Sequence, residues 1–303
     1  MMLIARMTQV SQSDASQPRV NQPDVNQPDP ISMTTRDLTV QRVRHALKMR
    51  LLQVVRTRQV SPQLLRVTLA GDDLKDFVSA SFDDHVKVFF PAPGQPRPAL
   101  PEVGPNGPVF AEGAPRPAAR DYTPRRHDPV AGELDLEFVL HGDGPASTWA
   151  AQAAPGQYLG VGGPRGSFVI PDGFDWHLLV GDETALPAIG RRLEELPAGA
   201  QALVVVAVDN AAAEIPLPSR ASVEVRWQHR DGAPAGDATL LERALRAITL
   251  PRGEGYVWAA GEGAAIRAVR QYLVSERGID KSRIRASSYW RAGAAAVHET
   301  IDD

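Results

Sequence analysis

The stretch HLLVGDETALPAIGRRLEELPAGAQALVVVAV, residues 177–208, decides the fold. Two nearly continuous apolar runs flank an amphipathic segment. The same alternation returns later in SVEVRW, TLLERALRAI, GYVWAAG, AAIRAVRQYLVSERG and RIRASSY. Buried strands alternating with amphipathic helices predict a parallel, doubly wound α/β sheet. Ligands of such sheets bind at the carboxyl ends of the strands.

The region before this stretch has a different pattern. Short and often alternating apolar runs, such as QLLRVTLAG, DHVKVFFP and ELDLEFVL, fill residues 50–170, and they predict a small antiparallel β-barrel. One helix interrupts it at Pro145. The expected fold is therefore α+β with two domains, a barrel over 46–171 and an α/β domain over 172–303, with the boundary near 171–175.

Two segments differ in composition from the rest. Residues 1–45 carry a short Asn-Gln-Pro-Asp repeat and few large apolar residues, which is typical of a disordered tail. Residues 91–118 contain nine prolines and are too long for an ordinary connection, so a surface loop or flap is expected there.

Composition excludes several kinds of chemistry. The 303 residues include no cysteine, which removes disulfides, thiolate ligands and dithiol relays. Any electrons must then be carried by a bound cofactor. A net charge of −3 argues against nucleic acid or an anionic membrane as partner. The longest apolar run, ALVVVAV, is too short to span a bilayer, so we expect a cytoplasmic protein, and we expect a monomer.

The motif ARDYTPRR, residues 119–126, places a cation, an aromatic ring and a hydroxyl on one extended segment. Arg120 can bind phosphate, Tyr122 can pack on a planar ring, and Thr123 can hydrogen-bond a ring nitrogen. Pro124 favours an extended edge position for Thr123. The alternative is a surface strand with a half-buried tyrosine.

The motif HGDGPASTWA, residues 141–150, follows one strand later. Its glycines free the backbone, Pro145 suits a first helical turn, and the exposed amides with Ser147 and Thr148 form a possible diphosphate site. The alternative is an ordinary capped helix.

Two strand-to-helix turns complete the set of motifs. Asp182, Glu183 and Thr184 lie in the first turn, and Gly261 and Glu262 lie in the second. Neither turn has the Gly-x-Gly-x-x-Gly pattern, and helix capping explains the acids of the first turn equally well. Two such turns on one parallel sheet can form one nucleotide crevice.

Together, DHVKVFFP, RDYTPRR, HGDGPASTWA, GDETALPAI, WAAGE and SYWRAG resemble the siderophore-interacting proteins, a branch of the ferredoxin-reductase-like flavoproteins. The resemblance runs from about residue 50 to 297. It implies a barrel that holds FAD, an α/β domain that receives NADH or NADPH, and reduction of a ferric siderophore that releases Fe(II). A flavin reductase with another acceptor and a siderophore-binding protein that does not reduce are the alternatives.

The resemblance also implies roles for individual residues. Arg120 would contact flavin phosphate, Tyr122 the isoalloxazine, and Thr123 the ring edge, while Asp182, Glu183 and Thr184 would lie near the nicotinamide. The complete set of expected cofactor-binding residues is Arg120, Tyr122, Thr123, His141, Gly144, Ala146, Ser147, Thr148, Asp182, Glu183, Thr184, Asp209, Gly261 and Glu262.

Two charged residues bear on the choice between NADH and NADPH. Asp209 ends an apolar strand, where an acid can accept from a ribose 2′-hydroxyl and favour NADH; Arg230 could instead reach a phosphate, and a turn formed by Asp209 with Asn210 is the plain reading.

Ferric siderophores are often anionic, so a basic pocket is expected. The candidates for it are Lys87, Arg125, Arg126, Trp290 and Arg291, of which Trp290 could equally be a core residue. No metal site is expected from His85, His141 and His229.

Overall fold

Strands from the first half of the chain form one antiparallel sheet of seven strands. The computed structural model describes residues 36–113, 115–142, 144–294 and 299–301. The elements of this half are β1 (Gln41–Arg44), β2 (Met49–Ser61), β3 (Leu64–Ala70), β4 (Val86–Phe89), β5 (Glu102–Gly104), β6 (Gly107–Val109), β7 (Ala119–Tyr122), β8 (Arg126–Asp128), β9 (Glu133–Val139), α1 (Pro145–Ala150), β10 (Tyr158–Gly162) and β11 (Gly166–Val169). The strand order in the sheet is β7-β4-β10-β2-β3-β9-β8.

The two edge strands of this sheet come close together at one end. The edge strands β7 and β8 are consecutive in the chain, and only residues 123–125 connect them. The four Cα steps from Tyr122 to Arg126 span at most about 14 Å, so the end of β7 lies close to the start of β8. No ladder of hydrogen bonds pairs β7 with β8 among the described strands. The expected barrel is therefore a curled antiparallel sheet with an open seam at 123–125.

The expected tail and the proline-rich segment have different outcomes. Residues 1–35 lie outside the described residues. Disorder up to residue 45 is wrong, because β1 pairs with β11 in an antiparallel ladder and Leu38 is buried against Ile170 and Phe174 in one hydrophobic cluster. The alternation of apolar residues from Leu38 onwards was the missed signal. The proline-rich segment contains the short hairpin of β5 and β6.

The second half forms a six-stranded sheet with helices on both faces, which confirms the doubly wound prediction. Its elements are β12 (Trp176–Asp182), α2 (Leu186–Glu195), β13 (Gln201–Val208), β14 (Ser222–His229), α3 (Ala238–Ala247), β15 (Gly255–Glu262), α4 (Gly263–Ser275), β16 (Ile284–Trp290) and β17 (Glu299–Thr300). The order is β14-β13-β12-β15-β16-β17, parallel except for β17. The chain order reverses between β12 and β15, so the expected ligand crevice lies at the carboxyl ends of these two strands.

A shared core joins the two halves. Leu64 and Phe82 from the first half pack in one buried cluster with Leu186 and Trp258 from the second, while α3 and α4 cover the other face of the parallel sheet. The division at 171–172 stays a prediction. None of the helices among the described residues is long and apolar enough to cross a membrane.

His177 should make the protein less stable in acid. Burial, with the Arg192 cation nearby, lowers the pKa of the His177 imidazole to about 3. The unfolded chain takes up this proton below about pH 6.5, whereas the folded chain does not until about pH 3, so the free energy of unfolding falls by up to about 1.4 kcal/mol per pH unit between them. Urea unfolding at about pH 7.5 and about pH 5 should differ by about 2 kcal/mol from this group. In the variant His177→Leu, the free energy of unfolding should differ less between the two pH values, by this contribution. If the pH dependence of unfolding were the same in both proteins, the prediction would be contradicted.

Candidate functional site

An open cleft of about 410 Å³ lies between the curled sheet and the α/β half. Its walls come from β4, β7, β9, the turn before α1, the start of α2 and residues 289–294. The sequence-predicted residues on these walls are Lys87, Arg120, Tyr122, Thr123, His141, Gly144, Ala146, Ser147, Thr184, Trp290 and Arg291. The structure thus brings most of the predicted site together at the expected crevice.

Tyr122 and Thr123 form the part of the wall at the open seam. The Tyr122 ring packs against Phe138, with ring centroids 4.3 Å apart, and burial raises the pKa of its hydroxyl. Thr123 is buried, and its side chain hydrogen-bonds Tyr289. Tyr122 is therefore half-buried, with one part in the core and one part on the cleft wall.

Arg120 is a cation on the cleft wall without an acidic partner among the described residues. Its Nη1 donates to the carbonyl oxygen of Ala119 at 2.8 Å. By contrast, Lys87 on the neighbouring strand lies 2.7 Å from the carboxylate of Asp121. Arg120 can therefore offer its guanidinium to an anionic ligand without breaking an ion pair.

The turn before α1 lies on the same cleft wall as Arg120. Gly144 has an extended backbone and directly precedes Pro145, the first residue of the helix. Ser147 Oγ accepts from the His141 amide at 2.9 Å. Thr148 is not on the cleft wall, and its amide donates to the Gly144 carbonyl at 2.9 Å. The structure thus places Gly144, but not Thr148, where the sequence predicts a diphosphate.

Asp182 is a buried carboxylate that organises the opposite wall. Its Oδ1 accepts from the amide and hydroxyl of Thr184, at 2.9 and 2.5 Å. Its Oδ2 accepts from Trp290 Nε1 at 2.8 Å and from the Glu262 amide at 3.1 Å. Burial raises the pKa of this carboxyl. Asp182 does not line the cleft, but it holds Thr184 and Trp290, which do.

Gly261 and Glu262 support the wall from behind. Glu262 Oε2 accepts from the amides of Ala264 and Ala265, at 2.6 and 3.0 Å, and so caps α4. Its Oε1 accepts from the Ala292 amide at 3.2 Å, which fixes the turn after β16. The structure places neither Gly261 nor Glu262 on the cleft surface.

Gly261→Ala should destabilise the fold by about 1–3 kcal/mol. A Cβ at Gly261 would lie 2.7 Å from Asp182 Oδ2, on a backbone with φ +155°. Gly144→Ala is a matched control, because its φ is −67° and an added Cβ there meets nothing within 4 Å. Urea unfolding measures both, and an unchanged midpoint for Gly261→Ala would contradict the prediction.

Two of the predicted substrate cations lie elsewhere. Arg125 is buried, and its guanidinium donates two hydrogen bonds to Glu194 on α2, at 2.8 and 2.6 Å. Arg126 donates to Asp135 and to Glu133, both at 2.8 Å. Glu183 and Asp209 likewise lie away from the cleft wall. Substrate and nucleotide roles for these four residues stay predictions.

Sequence reasoning missed Glu137, a buried residue of β9 that lies on the cleft wall. Glu137 Oε1 accepts two hydrogen bonds from Arg66, at 2.9 and 2.5 Å. Its Oε2 is buried without a hydrogen-bond partner among the described residues. The strand ELDLEFV gave no sign of this, because the partner Arg66 is 71 residues away in the chain.

Two family models match the chain in succession. A siderophore-interacting FAD-binding domain matches residues 53–168, and the siderophore-interacting protein model matches residues 174–293.

Three individual proteins are similar over most of their length. The NADPH-dependent ferric-chelate reductase of Escherichia coli is 38% identical, over 83% of this chain and 96% of that protein. The ferric vibriobactin reductase of Vibrio cholerae is 36% identical, over 82% and 93%. The crystal structure of a siderophore utilization protein from T. fusca superposes with a TM-score of 0.79 and 42% identity, over 86% and 98%.

Proposed function

Because this chain belongs to the siderophore-interacting protein family, we propose that it reduces a ferric siderophore with electrons from NADH or NADPH, using bound FAD. The observation that supports this most is the cleft at the reversal of strand order. It joins Arg120, Tyr122 and the Gly144 turn on one side to Thr184 and Trp290 on the other.

Family membership confirms the resemblance read from the motifs, the ferredoxin-reductase-like fold and FAD as the cofactor. The contacts of the cleft residues fit such a group. Arg120 has no acid partner among the described residues and suits a phosphate. Glu137 Oε2, a buried acceptor without a donor, suits a hydroxyl or ring N–H, since a buried orphan oxygen costs about 1–3 kcal/mol. Tyr122 adds an apolar face.

When bound, FAD exchanges two electrons with a nicotinamide and single electrons with an iron chelate. One NAD(P)H supplies electrons for two Fe(III) ions and becomes NAD(P)⁺, with release of one proton. The chain itself needs no nucleophile. Its residues would bind the phosphates and form the aromatic part of the cleft wall. The shared core fixes the position of one half relative to the other. Fe(II) carries less charge than Fe(III), so hard oxygen donors hold it less tightly and it leaves the chelator.

On the substrate side, two of the predicted cations lie on the cleft wall. Lys87 pairs with Asp121, and Arg291 lies 2.8 Å from Glu299. Both lysine and arginine side chains are partly exposed there, so an anionic chelate could compete for them at low cost. Trp290 adds an aromatic residue to the cleft wall. A cytoplasmic location and a monomeric state stay predictions.

Anaerobic absorbance spectroscopy tests the proposal. The protein is saturated with FAD, titrated with NADH or NADPH, and then given a ferric siderophore with a ferrous-specific trap. Loss of the flavin bands, their return and two trapped Fe(II) per nucleotide are the expected results. A protein that takes up no FAD would refute the proposal. One that is bleached by nucleotide but not reoxidised by the chelate would have another acceptor.

A further inference from the structure

Two acids surround one arginine at the carboxyl ends of β12, β13 and β14. Glu183, Asp209 and Arg230 make up this group, which we call the acid–arginine cluster. Arg230 donates from Nη1 and Nη2 to the two carboxylate oxygens of Glu183, at 2.8 and 2.6 Å. The side chains of this pair are only 10% and 11% exposed. The guanidinium is therefore committed to Glu183 in a buried, bidentate pair.

Asp209 keeps one oxygen for a ligand. Its Oδ2 accepts from Gln63 Nε2 and from Asn210 Nδ2, both at 2.8 Å. Its Oδ1 lies 3.9 Å from Arg230 Nη2, beyond hydrogen-bond distance, and no other donor reaches it among the described residues. The side chain is 31% exposed. Oδ1 is thus a fixed, accessible acceptor.

The cluster lies at the carboxyl ends of the strands, where a doubly wound sheet binds the adenosine ribose of a dinucleotide. Asp209 directly follows β13, which is connected to β12 through α2 and pairs with it in parallel. In doubly wound sheets an acid at the end of the second strand accepts from the ribose 2′-hydroxyl. Asp231, another acid, donates its amide to the Asp209 carbonyl at 2.8 Å, so the surroundings carry more negative than positive charge.

We infer that this chain selects NADH over NADPH, through Asp209 as an acceptor and Glu183 as the residue that occupies Arg230. This rests on the proposed function. A 2′-phosphate brings about two negative charges beside Asp209. Arg230 could neutralise it only by leaving the Glu183 carboxylate buried and unpaired, which is strongly unfavourable. This chain would then differ in nucleotide preference from the Escherichia coli relative, which is named as NADPH-dependent.

Calorimetric titration of the FAD-loaded protein with NAD⁺ and NADP⁺ tests the inference by affinity. NAD⁺ should bind at least about tenfold more tightly, because the 2′-phosphate of NADP⁺ would lie beside the like charge of Asp209. Asp209→Asn and Glu183→Gln each remove one acid without changing side-chain size. Each should lower the ratio of the NADP⁺ dissociation constant to the NAD⁺ dissociation constant by about threefold or more. Glu224→Gln is the charge-matched control. Glu224 is an exposed acid on β14 paired with Arg226, and its removal should leave the ratio unchanged.

Three results would overturn the inference: NADP⁺ binding as tightly as NAD⁺, no binding of either nucleotide, or a ratio that neither variant changes. If Glu183→Gln fails to fold, the partly exposed Asp209→Asn still decides. A separate experiment tests the proposed function. FAD-loaded protein is reduced with dithionite instead of nucleotide, and reoxidation by a ferric siderophore is then measured, so the result does not depend on nucleotide binding.

Discussion

Arg120→Ala should weaken FAD binding by about 10- to 100-fold, because a charge-assisted contact to phosphate contributes about 1.5–3 kcal/mol. Arg120 lies on the cleft wall, and its guanidinium donates to the carbonyl of the adjacent Ala119, so the fold should survive. The FAD dissociation constant from fluorescence titration and the urea midpoint measure the two effects separately.

Arg58→Ala serves as the control for Arg120→Ala. Arg58 is an exposed cation of β2 in the same sheet, and its removal should leave FAD affinity unchanged. Tyr122 is a poorer first target, because its ring packs on Phe138 in the core and truncation would leave a cavity. Unchanged FAD content in Arg120→Ala would refute the assignment of this arginine to the phosphates.

Asp182→Asn should destabilise the protein by about 2–5 kcal/mol. An asparagine can accept on only one side, so either Thr184 or the pair of Trp290 Nε1 and the Glu262 amide loses its acceptor. Urea unfolding gives the loss of stability, and tryptophan fluorescence should report a freer Trp290.

Two further variants isolate the role of Asp182. Asp280→Asn changes an exposed acid that accepts from the amide and the hydroxyl of Ser282 in a short turn, and it should cost about 1 kcal/mol or less. Combining Asp182→Asn with Trp290→Phe should cost less than the two single changes added together, because they share one hydrogen bond. Strict additivity, or an Asp182→Asn protein as stable as the parent, would contradict the assignment.

The fold was predictable because its signals are local. The apolar runs that became β12 and β13 are continuous, and the amphipathic α2 between them leaves few alternatives to a parallel sheet. Parts of the cleft wall could be predicted as well, since Arg120 lies in a strand of the first half, and Gly144 and Thr184 each come after a strand.

The roles of the acids beside the helices could not be predicted in the same way. Capping and ligand binding require the same residue types, and what separates them for Asp182 is a donor on Trp290, 108 residues away. Arg125 is similar, because its partner Glu194 lies on α2 in the other half of the chain. Glu137 remained hidden for the same reason, as its inward position depends on Arg66. Such long-range pairs leave no periodic pattern in one sequence.

The open seam at 123–125 also constrains motion. Each of its three residues contacts the other half: Thr123 bonds Tyr289, the Pro124 carbonyl accepts from Arg191 at 3.0 Å, and Arg125 pairs with Glu194. A hinge opening of the two halves would have to break these contacts together and expose their shared core. Ligands of the cleft should therefore exchange through small movements of its rim while the two halves stay docked.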